Sequence, residues 1–107
     1  MISRHWKGVA KPGYAEAYVQ HLRHDTFPGL GRIPGFVRAS ILRRMVEAGT
    51  EFQIVTVWES LTAIKAFAGE DPEIAVVPAT VRAMLSTYDE RVVHYEIAES
   101  FAPGGKK

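Results

Sequence analysis

Four histidines and two tryptophans carry most of the chemistry that this 107-residue chain can offer. His94 stands in "VVHYEI", an otherwise apolar run that reads as a strand, and an imidazole there can accept a proton near neutral pH. The alternative is a structural histidine hydrogen-bonded at a sheet or subunit face. Arg4 and Trp6 are two apart and share one face of a strand, where the arginine can anchor an anionic group or sit in a salt bridge. His5 belongs to the opposite face, so at most one of His5 and Trp6 looks into a given cavity. His21 and Asp25, four apart on a helix, form either an imidazole–carboxylate pair or an ordinary surface pair. Trp6, Tyr18, Trp58 and Phe67 supply flat aromatic surface, either as walls of an apolar pocket or as plain core.

Other chemistries lack their parts. His21 and His24 are three apart in "HLRH", but no third ligand is evident and His24 falls on the polar side, so no metal site is expected. The glycines of "GLGRIPG" have neither the spacing nor the strand-to-helix context of a nucleotide loop. Ser3, Ser40, Ser60, Ser86 and Ser100 have no nucleophile-elbow surroundings. The absence of cysteine removes disulfides, thiolate metal sites and a thiol nucleophile together. A net charge of +1 with scattered Lys and Arg is not a nucleic-acid footprint. No run of ~18 apolar residues suits a membrane span, and "MISRHWKGVA" does not read as a signal peptide. A soluble cytoplasmic protein, binding neither nucleic acid nor membrane, is expected.

The elements that must hold these residues follow from periodicity. With 47% hydrophobic and 23% charged residues, the composition is that of one globular domain. Ile2 to Val9 reads as a first strand ending at "AKPG". Tyr14, Ala15, Tyr18, Val19 and Leu22 then fall on one side of a helix expected to end near Phe27, before two Pro-Gly turns. Phe36 to Val46 and Glu51 to Glu59 read as antiparallel strands joined through "EAGT". Ser60 caps a helix carrying Leu61, Ile64, Phe67 and Ala68, which Gly69 closes. Asp71-Pro72 predicts a short helical turn with Ile74 and Val77. The spacing of Val81, Met84, Leu85 and Tyr88 predicts a further helix to about Thr87, and Arg91 to Ala98 is the last strand. The domain spans 1–98, and 99–107 reads as a flexible tail.

Strand, helix, strand, strand, helical region, strand is the ferredoxin-like βαββαβ order, an α+β fold with a four-stranded antiparallel sheet covered by helices on one face. Yet "EFQIVTVWES" is apolar in its middle on both sides: Phe52, Ile54, Thr56 and Trp58 against Gln53, Val55, Val57 and Glu59. Leaving the second set in water forfeits about 1.5–3 kcal/mol per large side chain. A second copy of the chain is the expected cover, giving a homodimer.

The segments "IPGFVRASILRR", "EFQIVTVWESLTAIKAFAGED", "AVVP" and "DERVVHYEI" carry a resemblance to the antibiotic biosynthesis monooxygenase domain of the dimeric α/β-barrel superfamily, spanning nearly the whole chain from "MISRHWKG" to "VVHYEI". The resemblance implies the dimeric α/β barrel and a range of activities. Members include oxygenases of aromatic polyketides that use neither metal nor flavin, haem-degrading monooxygenases, small-molecule isomerases and proteins of no known activity. The haem-degrading branch uses an Asn on the first strand, a Trp in the helix after the third strand and a His shortly after. Those places hold Trp6, Phe67 and Val77, so no haem ligand is expected and no cofactor is implied. Cofactor-free oxygenation needs a dry pocket, aromatic walls and one base. The resemblance therefore implies a monooxygenase for a small aromatic or quinone-like molecule. His94 would be the base, and Arg4, Trp6, Tyr18, Trp58 and Phe67 would hold the substrate, Trp6 occupying a pocket position of relatives. A non-catalytic binding or scaffolding dimer and a cofactor-free isomerase are the alternatives.

Overall fold

The computed structural model describes residues 1–104. In chain order they form β1 (Ile2–Ala10), α1 (Ala15–His21), a π-helical turn (Leu22–Thr26), α2 (Phe27–Leu30), β2 (Phe36–Val46), β3 (Gly49–Trp58), α3 (Leu61–Ala68), α4 (Ala79–Arg82), β4 (Leu85–Tyr88) and β5 (Val93–Glu96). All strands belong to one antiparallel sheet of order β2-β3-β1-β4, with β5 also on β1. The α+β, ferredoxin-like expectation is met, with β1 and β3 central. β1 and β3 pair along their whole length, from Ile2 opposite Trp58 to Ala10 opposite Thr50.

Three boundaries differ from the sequence reading. The helix expected from Val81 to Thr87 is one turn, after which Leu85–Tyr88 is a strand. β5 pairs only with Ile2 to His5, which leaves the backbone of Gly8 to Ala10 without a partner on that side, and β4 fills the gap. A helix so short has little stability of its own, so satisfying the sheet edge wins. The expected last strand is thus shortened to β5, and β4, from the stretch expected to be helical, shares its place beside β1. The helical turn expected at Asp71-Pro72 is instead a bend: Asp71 Oδ1 accepts the Glu73 N–H at 3.0 Å and Ile74 bridges to Arg91. The first helix does not stop near Phe27 but passes through the π turn to Leu30. Of the tail, 99–104 carry no helix or strand, and 105–107 lie outside the described residues.

The helices cover one sheet face and make the core there. Tyr18, Leu22, Phe52, Ile54, Val81 and Leu85 pack at one end, and Leu30, Trp58, Ala63 and Ile64 at the other, with Phe27 touching both groups. Ser60 Oγ accepts the Ala63 N–H at 3.2 Å and fixes the start of α3. Among the described residues the other face carries no helix. Its residues are more mixed than β3 alone suggests: His5 hydrogen-bonds both Ser3 and Gln53, while Leu42 and Tyr95 stay 49% and 57% exposed. Val57 is nonetheless buried within the single chain. Among the described residues no helix is long and apolar enough to cross a membrane.

The β2–β3 hairpin turns on Gly49, whose φ of +143° and close approach to the Ala10 carbonyl leave no room for a side chain. Gly49→Ala is expected to lower unfolding free energy by about 1–3 kcal/mol in urea titration. Gly29→Ala, in α2 with open space around the missing Cβ, is expected to be neutral or slightly stabilising.

Candidate active site

A cavity of ≈ 70 Å³ lies between the helices and the covered sheet face, against the ~10–15 Å³ that one water needs. Its floor is set by the β1–β3 register, which turns Arg4 and Trp6 of β1 and Ile54 and Thr56 of β3 to the same side. The Trp6 ring lies back over Gly8: a Cβ there would come within 2.6 Å of Trp6 Cη2. Gly8 is therefore what lets a tryptophan lie flat along a central strand. Trp6 Nε1 donates to the Asp89 carbonyl at 2.8 Å, which fixes the far end of the indole. Tyr18 meets Trp6 at 6.4 Å between ring centres and stands edge-on to Phe52 at 4.9 Å. Burial pushes the Tyr18 phenol well above its ordinary range, so it stays a neutral hydroxyl.

The helical wall owes its shape to the π turn. Pro28 has no N–H to donate and in a continuous α-helix would collide with a carbonyl one turn back. The chain widens instead, and the Phe27 N–H reaches Leu22 O, five residues earlier. That extra residue brings Leu22, Thr26, Phe27 and Leu30 onto the cavity together. It also sets His21 Nδ1 3.3 Å from Asp25 Oδ2, the imidazole 15% and the carboxylate 72% exposed. Both border a wider mouth of ≈ 530 Å³, which shares Thr26, Leu30, Phe67, Val76 and Pro78 with the cavity. A π turn inside a helix often marks a functional site.

The last wall is Phe67 of α3 with Val76, Val77 and Pro78. Behind Phe67, Trp58 stacks at 6.0 Å and donates its Nε1–H to Thr56 Oγ1 at 2.9 Å.

Among the described residues, Arg4 is the one charged residue on the cavity surface, and it is 5% exposed. Its Nη2 donates to the Ile74 carbonyl at 2.8 Å and its Cζ sits 5.3 Å from the Phe67 ring centre, while Nε has no partner. The carboxylates near Ile74 in sequence are engaged elsewhere: Arg91 Nη2 holds Asp71 at 3.0 Å and Glu73 at 3.2 Å. Burial without a counter-ion pulls the guanidinium down to about 10, still cationic at neutral pH. His94 faces Arg4 across the β1–β5 ladder, and its Nε2 is buried without a partner. Burial, then the Arg4 charge, lowers its pKa below the ordinary 6.5.

Of the residues singled out in the sequence, Arg4, Trp6, Tyr18 and Phe67 meet on the cavity surface. Trp58 does not: it is fully buried and supports Thr56 and Phe67 from behind. His94 stands one strand beyond the lining, beside Arg4. Gly8, Thr56 and the π turn escaped the sequence reading, although a glycine two residues after a strand tryptophan is a visible signal for a ring laid along the strand. Among the described residues, no group of three or more His, Cys, Asp or Glu is placed to hold a metal ion. Trp6, Phe67 and Val77, the positions considered for haem, all line the cavity, and none is a ligand: the indole N–H is committed to Asp89 and the other two are hydrocarbon.

The fold has known counterparts. A presumptive antibiotic biosynthesis monooxygenase from Bacillus cereus superposes with a TM-score of 0.65 at 20% identity, over 94% of this chain and 96% of that one. A mutant of SnoaB, a cofactor-independent oxygenase from Streptomyces nogalater, gives 0.64 at 17% identity over 92% and 94%. A haem-degrading protein from Mycobacterium tuberculosis gives 0.62 at 19% over 95% and 97%. At these identities the likeness is one of fold. No curated protein matches the sequence significantly. The family model described as antibiotic biosynthesis monooxygenase matches residues 1–73, from β1 through the bend after α3, and the chain belongs to that family.

Proposed function

We propose that the cavity binds a small aromatic or quinone-like molecule and that the protein oxygenates it without metal or flavin. The observation that carries this reading is the apolar cavity walled by Trp6, Tyr18 and Phe67, with Arg4 as its single charge. The similarity to SnoaB, a cofactor-independent oxygenase, agrees with it. The reaction suited to such a site converts a ring CH₂ flanked by phenolic rings, as in an anthrone, into a carbonyl. The enol form loses its proton, the resulting anion gives one electron to O₂, and the radical pair joins as a C–O–O bond. Protonation of the outer oxygen and loss of the remaining C–H proton as the O–O bond breaks release water. One oxygen atom stays on carbon, the other leaves as water, and the substrate supplies all four electrons.

In this scheme the aromatic walls hold the ring and exclude water from the reduced oxygen. We take His94, whose Nε2 is buried and unpartnered beside Arg4, as the base, its ring turning toward the cavity to accept the proton. We infer further that the helix-free sheet face, with Leu42, Val55 and Tyr95 on it, is closed by a second copy of the chain.

Oxygen electrode assays against anthrones and hydroquinones are expected to show uptake, with a haemin titration giving no Soret shift as the control. Ligand binding without uptake would leave only a binding protein. Gly8→Val should push the Trp6 ring into the cavity and lower kcat/KM at least ~10-fold. Because the lowered pKa makes His94 lose its proton early, activity should rise with pH through a midpoint below 6.5, and His94→Gln should abolish that limb. In sedimentation, wild type should run at twice the monomer mass and the Leu42→Glu, Tyr95→Glu double variant as a folded monomer.

A further inference from the structure

Buried cations are normally matched by a carboxylate, and an unmatched one calls for an explanation. Arg4 has a carbonyl on one nitrogen, a ring beneath its Cζ and nothing on Nε. Its cross-strand neighbour His94 also has a buried nitrogen without a partner, so two unsatisfied nitrogens belong to facing residues. Among the described residues no Asp or Glu contributes to the cavity surface. The carboxylates nearest in sequence to the Ile74 carbonyl that Arg4 holds, Asp71 and Glu73, are both turned to Arg91. The chain thus keeps acid groups on an exposed arginine and withholds them from the buried one.

We propose that the cavity selects ligands that carry an anionic oxygen, with Arg4 as the residue that supplies the missing counter-charge from its unengaged guanidinium edge. The chemical class is an aromatic ring bearing a phenolate, an enolate or a carboxylate. This deepens the oxygenase reading by naming the ionised form as the one the cavity stabilises, whether the ligand enters as an anion or gives its proton to His94, and it rests on that reading only for the location of the ligand. Arg4 acts by charge and hydrogen bonding at the ligand oxygen, and the phenolate form it stabilises is also the form that gives up an electron most readily. A guanidinium in a site from which water is excluded discriminates strongly between an ion and its neutral isostere.

The experiment compares charged and neutral probes on the intact protein. Benzoate and benzamide, followed by calorimetry, test the carboxylate. Nitrophenol, whose ionised form is coloured, tests the phenolate when titrated from acid to alkaline pH with protein in excess. At least one anion is expected to bind ~10-fold or more tightly than its neutral partner, and bound nitrophenol to ionise at a pH at least about one unit lower than free nitrophenol if the phenolate is the preferred form. Arg4→Met should erase the preference while melting no lower than wild type, because an unmatched buried charge is replaced by a hydrocarbon of similar length. Arg4→Lys should keep part of the preference. Equal binding of charged and neutral probes by the wild type would overturn the proposal, whatever the variants do. So would an Arg4→Met protein that still prefers anions. Should that variant melt well below wild type, Arg4 would be a strut for the Ile74 bend, and the wild-type comparison alone would decide. Anion preference with no oxygen uptake from any anthrone sinks the oxygenase and keeps the anion site, whereas uptake from substrates with no ionisable oxygen does the reverse.

Discussion

The uninterrupted ladder between β1 and β3 is the constraint on which the rest of this molecule depends. Because side chains alternate strictly and the pairing runs from Ile2 opposite Trp58 to Ala10 opposite Thr50, one register decides which residues see the helices. A slip by one residue would send Arg4 and Trp6 to the helix-free face and bring His5 and Lys7 under the helices. The buried positions of Phe52, Ile54 and Trp58 hold the register against that slip, since each loses about 1.5–3 kcal/mol if turned to water.

Upon that ladder the cavity is built by omission as much as by packing. Gly8 withholds a side chain so that the Trp6 ring has somewhere to lie. Pro28 withholds a donor, and the preceding helix widens into a π turn that spreads Leu22, Thr26 and Phe27 along one wall. The carboxylates of Asp71 and Glu73 are withheld from Arg4 by Arg91. Each absence has a local cost, and all three surround the same space. Costs that cluster around one cavity are what a functional site imposes on a fold.

How much of this the sequence discloses depends on whether the deciding force is local. Alternation places Arg4 and Trp6 on one face and helical spacing places Tyr18 and Phe67, so those four are readable in advance and the structure gathers them. Trp58 shows the limit, since period two gives the face of a residue and not its depth. It ends beneath the wall that it was expected to form. The stretch from Val81 to Tyr88 satisfies a helical pattern, and only the bare edge of β1, distant in sequence, makes Leu85–Tyr88 a strand. The π turn and the Arg91 clasp are likewise invisible to periodicity, because each is set by a single residue acting on the backbone or on distant carboxylates.

The outer boundary of the sheet carries a different consequence. β2 is the terminal strand on its side, and Arg38, Arg43 and Arg44 punctuate its eleven residues. Arg43 holds Glu16 and Arg44 holds Glu51, so a second molecule zipping along that border would have to bury or break these ion pairs, and that cost opposes it. Open-ended, fibre-like growth is thereby discouraged. On the broad flat side, by contrast, a closed assembly can form and stop.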